Sequence, residues 1–336
     1  MKLFFRGLVT VLLSLCIGCE TNPIISIPSK PIPVVYAIFD DSDSIHQILI
    51  EKSFSAQYSP LTEAKIYDSL FFDVLEVTVA YKSFFTRPWQ NLTVYKEHGL
   101  QKDSGYFHSP QNEYYYFKLK LGNIWGNHGD SLRIQVDIPG YEEIIGQIEI
   151  IDPLIISTPI PARQYVYLVP SSTFKIHWDH SRPGEKPHAM NEIDVQFEFI
   201  EQISQGLRSK FVKIQNTQWV SAAEETYREM SITYEEFIKA IQQQIMVNDS
   251  VLRTYLGYIK IHIAGADTNL VQYKKYLNGY SDYNFAGFSN IQDGLGLFTS
   301  VTHTYRDSLR FDYETRQTLI NENRLKKYKL SAWTEQ

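Results

Sequence analysis

Cysteine is almost missing from this chain of 336 residues: there are two, Cys16 and Cys19, both near the N-terminus. The body after them has no thiol with which to form a disulfide, bind a metal or attack a substrate. A surplus of positive charge is missing as well. Lys and Arg number 32 against 38 Asp and Glu, a formal net charge of −6, which argues against general attraction to phosphate backbones and gives no reason to expect a nucleic-acid partner. The apolar run 8–17 falls short of the roughly 20 residues that a membrane-spanning helix needs. Tryptophan is sparse at 5, whereas 23 Tyr and 19 Phe bring aromatic content to 14%, an excess that suits strands and wet contact surfaces.

What stands at the N-terminus is ordered. Lys2 and Arg6 precede the apolar run, and Gly18 comes immediately before Cys19. Charge, apolar core, small residue and cysteine in that order read as a cleaved lipoprotein export signal over 1–18, with Cys19 as the lipidated first residue of the mature chain. Cys16 stands three residues before Cys19, where Leu is usual in such signals. Removing 18 of 336 residues leaves 318, more than one core usually organises, so two domains are expected. Pro23, Pro28, Pro31 and Pro33 make 19–33 a stiff, extended tether.

Over 34–152, apolar or alternating runs recur at 34–39, 45–54, 74–81, 91–96, 114–121, 131–138 and 144–151, with turn residues between them. Seven short strands in that length predict a mainly β fold, beginning with a β-sandwich of immunoglobulin or fibronectin type. In 132–138 the apolar Leu132, Ile134, Val136 and Ile138 share one face, and Arg133, Gln135 and Asp137 share the other. The second unit, 153–336, reads as a β-rich domain with helical insertions. Pro159, Pro161 and Pro170 suggest a linker or crossing edge, and 174–178 with 193–199 suggests a hairpin. Thr233 with Glu236 forms a capping box before a helix over 234–246. Strand positions Ile259, Ile261 and Ile263 follow. A second helix is capped by Asp267, carries Leu270, Tyr273 and Leu277, and stops at Gly279. Strands near 295–301 and 309–313 close the chain.

No constellation points to catalysis. There is no G-x-S-x-G elbow. His177, His180 and His188 lie close in sequence, but positions 177 and 180 of a strand face opposite ways, so an edge strand running into a polar loop is favoured over a metal site. Asp40, Asp41 and Asp43 lack EF-hand spacing and read as a solvated loop. Tyr114 and Tyr116 share one strand face, with Tyr115 on the other, so at least one ring should face water and could stack on sugar or peptide. In 290–298, N-I-Q-D-G-L-G-L-F, Gly294 and Gly296 fit a bulge or a close backbone approach, and the third glycine and lysine of a phosphate loop are absent.

The stretch 273–298, with Y-K-K-Y-L and then F-A-G-F-S-N-I-Q-D-G-L-G-L-F, resembles the C-terminal block of a family of Bacteroidota envelope lipoproteins of unknown function. The early segment P-V-V-Y-A-I-F-D-D-S-D-S-I-H (33–46), followed by I-E-K-S-F and Asp68-Ser69-Leu70, is similar to that family's N-terminal block. Asp293 and Thr299 depart from it, standing where the family often has glycine. Family members are often encoded beside SusC-like TonB-dependent receptors, so the resemblance implies an outer-membrane β-barrel partner. It carries over no catalytic residue and no cofactor. The expectation is a non-enzymatic, lipid-anchored outer-membrane accessory subunit, facing the cell surface or the periplasm, that assists substrate capture or complex assembly. The alternative is a free-standing surface binder of glycan or peptide. The crowded aromatics Tyr273, Tyr276, Tyr280, Tyr283, Phe285 and Phe288, beside the Gly294 and Gly296 segment, form the candidate interface.

Overall fold

A computed structural model describes residues 30–53, 66–84, 88–99, 112–121, 129–180, 188–219, 227–277 and 288–332. The segment expected to be an export signal, Cys19 and most of the expected tether lie outside them. The fold is mainly β. All seven runs expected in the first unit form strands: β1 (Pro33–Asp40), β2 (Ile45–Lys52), β3 (Glu76–Lys82), β4 (Gln90–Leu92) with β5 (Val94–His98), β6 (Glu113–Lys118), β7 (Ser131–Asp137) and β8 (Ile144–Glu149). One short helix, α1 (Tyr67–Leu70), stands among them. After these come β9 (Leu154–Thr158), β10 (Tyr165–Val166), β11 (Thr173–His180), β12 (Met190–Ile203), β13 (Gly206–Trp219) and β14 (Tyr227–Thr233). The chain ends with α2 (Tyr234–Gln244), β15 (Val251–Ala266), α3 (Thr268–Leu277), β16 (Ile291–Gln292), β17 (Leu295–Phe311), α4 (Tyr313–Asn321) and a 3-10 turn over Asn323–Tyr328.

One nine-stranded sheet runs through the molecule in the order β13-β12-β15-β17-β1-β2-β6-β5, with β10 also paired to β17. Its inner face carries two apolar cores. In the first, Val35, Phe39, Ile48, Ile50, Tyr115 and Phe117 pack against Val79, Leu132, Ile134, Val136 and Ile148 of a five-stranded sheet, β16-β8-β7-β3-β4. This is the expected two-sheet sandwich, and the period-two burial of β7 is the pattern read from 132–138. In the second core, Ile193, Val195, Phe197, Ile259, Ile261 and Ile263 pack against Phe174, Ile176 and Trp178 of the sheet β14-β11-β9 and against Phe237, Ile238 and Ile241 of α2.

Several expectations for the second unit need correction. The runs 174–178 and 193–199 are not a hairpin: β11 pairs with β14 and β9, and β12 with β13 and β15. The proline-marked segment is not a linker, because Leu154, Ile156, Val166 and Leu168 are buried in the second core. The two closing strands are one strand of 17 residues, β17. Its first part pairs in parallel with β1 (Leu295 on Val34 through Val301 on Asp40), and its second part pairs antiparallel with β15. Ser308, at φ 64°, lies within a register shift that turns Leu309 and Phe311 into the second core. Ile291 and Phe298 return to the first core, so segment 291–298 of the second unit completes the sandwich of the first. On α2 the capping box forms as expected, with Thr233 and Glu236 satisfying each other's backbone.

Gly296 is required by a close approach. Its φ is +124°, and a Cβ there would lie 1.9 Å from the Val35 carbonyl oxygen. Gly296→Ala should therefore open the β1–β17 pairing and cost about 3 kcal/mol or more. Urea unfolding measures it, and a loss below about 1 kcal/mol would refute this account of the junction.

Candidate functional site

Because both cores sit on one side of the nine-stranded sheet, the other side is wet, and the strand period of two sends alternate residues there. The register aligns Tyr36 with Leu49, Gln47 with Tyr116 and Tyr116 with Tyr95, which gathers the outward residues of four strands on one surface. Tyr95 and Tyr116 stack with ring centroids 5.0 Å apart, and Tyr114 lies 6.3 Å from Tyr116. Lys118 covers the Tyr95 ring at 5.7 Å. Tyr115 faces the core, as the sequence requires, while Ile38, Ile45 and Tyr95 remain 52%, 50% and 43% exposed. An open groove of about 440 Å³ runs between these strands, with Tyr36, Ile38, Ile45, Gln47, Leu49 and Tyr114 on its walls.

Helix α3 lies on this wet face beside the groove. The Asp267 side chain caps it by accepting from Leu270 N at 3.0 Å, and the same carboxylate also accepts from Ser300 N and Thr299 Oγ1 of β17. Burial pushes the Asp267 carboxyl up despite these donors. The helix face differs from the expected one: Val271 is buried and Leu277 is 62% exposed, because the helix rests on a sheet through Met190, Ala266 and Val301. Tyr273 reaches back to Tyr36, edge to face at 6.4 Å, and burial with Tyr273 alongside pushes the Tyr36 hydroxyl up to about 12. Of the remaining candidate interface residues, Tyr276 is 38% exposed and Phe288 is half-buried. Tyr280, Tyr283 and Phe285, with Gly279, lie outside the described residues.

The histidine and carboxylate groups sort differently from their spacing in sequence. His177 pairs with Glu229 at 3.0 Å and His188 meets the Asp152 carbonyl at 2.7 Å, so these two go to separate partners. The His180 side chain lies outside the described residues. Asp40 accepts from Ser42 and faces His303, whereas Asp41 accepts from Thr302 Oγ1 at 2.5 Å and from His303 N. The aspartates therefore tie β1 to β17 instead of converging on a cation. Sequence reasoning missed His262 and His303, which meet at 2.9 Å on the wet face. I-H-I at 261–263 and T-H-T at 302–304 place each ring outward, but the register that joins them is not written in either segment. Burial and the neighbouring His303 push the His262 imidazole down.

Among the described residues no group of three or more His, Cys, Asp or Glu is gathered to hold a metal ion, and no helix is long and apolar enough to cross a membrane. No family model matches the chain. No curated protein matches it either. Among solved structures, it overlaps the crystal structure of DIP-gamma IG1+IG2 over 70% of this chain and 89% of that one, at 7% identity and a TM-score of 0.18. It overlaps the chicken CNTN1 FN1–FN3 domains over 82% of this chain and 65% of that one, at 10% identity and a TM-score of 0.18. Overlaps this shallow carry no assignment.

Asp267 links the helix beside the groove to the strand shared by both cores. Asp267→Asn should cost about 1–3 kcal/mol, since one amide oxygen cannot serve the same donors. A carboxyl pKa raised by folding contributes stability that is complete below the unfolded midpoint and is lost as pH rises through the folded one. Carboxyl NMR should place the Asp267 midpoint above the ordinary 3.8; a midpoint at or below it would contradict the burial argument.

Proposed function

We propose that this chain is a lipid-anchored, non-enzymatic accessory subunit that docks on an outer-membrane β-barrel and assists substrate capture or assembly there. The observation that carries the reading is the aromatic wet face: Tyr36, Tyr95, Tyr114 and Tyr116 on the sheet, Tyr273 of α3 against Tyr36, and apolar Ile38 and Ile45 exposed among them. Rigid tyrosines supply contact area at low entropic cost and are the residues enriched at protein interfaces. The basic-apolar-Gly-Cys order supports the anchor, and the resemblance to SusC-associated envelope lipoproteins supports the choice of a barrel. The Tyr95–Tyr116 stack, with Tyr95 exposed and Tyr116 half-buried, also supports a second reading, a free-standing binder of glycan or peptide.

Two experiments test this. Cys19→Ala should move the protein from the membrane fraction to the soluble one after alkaline washing, and continued sedimentation with membranes would refute lipidation at that residue. In co-purification from detergent-solubilised membranes, the parent should bring down a barrel in stoichiometric amount. The pair Tyr95→Ala with Tyr116→Ala should weaken that association at least tenfold at unchanged melting temperature, about 1.4 kcal/mol or more of interface energy. A parent that purifies alone yet binds glycan would favour the second reading.

A further inference from the structure

We propose that the wet-face groove takes an extended segment of a partner protein with the pattern apolar-x-apolar-x-Lys or Arg, its cation lying at the end walled by Asp40 and Asp43. The inference rests on the reading that this face is the docking surface, and it names what the partner must present there. The long walls of the groove are apolar or aromatic: Tyr36 and Ile38 on β1, Ile45 and Leu49 on β2, and Tyr114 on β6. Tyr36 lies opposite Leu49, and the two strands run from there to the turn at 41–44. Asp40 stands at the end of β1 and Asp43 in the turn, so one end of the groove is acidic. His46 lines it as well, but its Nε2 meets the Leu119 carbonyl at 2.8 Å, its ring packs against Phe39 and Phe117, and burial pushes its imidazole down. The charged groups on the walls are therefore carboxylates.

The acidity continues past the groove. Tyr305 of β17 is 58% exposed and stacks near His303, whose Nε2 lies 3.0 Å from Asp40. Burial first, and then the charges of Asp40, Asp307, Asp41 and Asp43, push the Tyr305 hydroxyl up, so four carboxylates surround this ring. Asp41 is taken up by Thr302 and the His303 backbone, whereas Asp43 and Asp307 are exposed. Lys118 and Lys274 of the same face are turned to other partners, the Tyr95 ring and Glu192. A cation seated here gains from the carboxylates and from the exposed tyrosine. The apolar groove leading into the cluster is what calls for a chain. Alternate side chains of an extended segment face one way and rise at about 3.3 Å per residue, the same step as β1 itself. A segment laid along β1 therefore sets positions i and i+2 over Tyr36 and Ile38, and i+4 over Asp40. Side chains make these contacts, so the segment runs in either chain direction, and the order towards the turn is what counts.

The test is fluorescence anisotropy of the full-length, detergent-purified protein with labelled peptides, Leu-Thr-Leu-Thr-Lys and its reversed sequence, each compared with the same peptide carrying Glu for Lys. At least one Lys peptide should bind with a Kd of about 1 mM or below, about tenfold tighter than its Glu counterpart. That preference should shrink as salt rises from about 0.02 M to about 0.5 M. The doubly substituted Asp43→Asn, Asp307→Asn protein should lose most of the preference at unchanged melting temperature, because both side chains are exposed. Ile38→Ser should instead weaken the Lys and Glu peptides alike. Equal binding of Lys and Glu peptides, no binding of any, or a preference that survives the double substitution would overturn the proposal. If a barrel co-purifies and no charge preference appears, this inference fails and the docking reading stands. If the preference appears and no barrel co-purifies, the barrel reading fails and the specificity of the groove stands.

Discussion

The rest of the structure depends on β17. Its parallel pairing with β1 joins residues 295–301 to 34–40, nearly the whole described chain apart, and its antiparallel pairing with β15 holds the second core. Parallel neighbours need a crossover between them, and here the crossover is everything from β2 to β16. The sandwich is therefore completed by residues 291–301, which come late in the chain, after most of the second unit. Two cores that share a strand are not free to swing as linked domains do, because moving one against the other would break a continuous ladder.

Polar contacts reinforce this joint where apolar packing is thin. Asp41 is tied to Thr302 and to the backbone of His303, and Asp267 to Thr299 and Ser300. Burial pushes both carboxyls up, so each is held by donors whose loss would leave a buried charge. Thr299 carries part of this joint. A glycine there could not donate to Asp267, whereas the threonine hydroxyl, wholly buried, does so. Asp293, just before the strand, adopts φ 55°, a conformation that glycine accepts most readily and aspartate tolerates.

Local periodicity made the first sandwich legible, since β1 to β3 and β6 to β8 alternate or carry short apolar runs between turns, whereas β4 and β5 are polar and mostly exposed. The Thr233 and Asp267 caps were legible for the same reason, being side chain to backbone bonds within one turn. What stayed hidden was long-range. In β13 only Val212 is fully buried, so G-L-R-S-K-F-V-K-I-Q-N-T-Q-W shows no core face to read. The middle of β17 carries T-H-T-Y-R-D-S, polar on both faces even though Thr302 is wholly buried, and ends in a register shift, which is why one strand reads as two. The wet-face surface depends on register between strands far apart in sequence. Tyr114 and Tyr116 could be assigned a face from their own strand, but not their meeting with Tyr95, nor Tyr36 with Tyr273.

The sheet's edge bears on how a partner could attach. A free edge strand normally invites pairing with another chain. On β13, the Gln244 side chain of α2 receives Lys213 N at 2.8 Å and donates to Lys213 O at 2.7 Å, reproducing both bonds that an added strand would make. Strand addition at that point would have to displace an amide already held by the helix. Among the described residues the wet face has no such cover over Ile38, Ile45 and Tyr95, and it offers side chains instead of backbone. A partner that binds there reads tyrosine faces and the groove between β1, β2 and β6, so affinity follows the placement of a few rings, and specificity follows the register that β17 imposes on them.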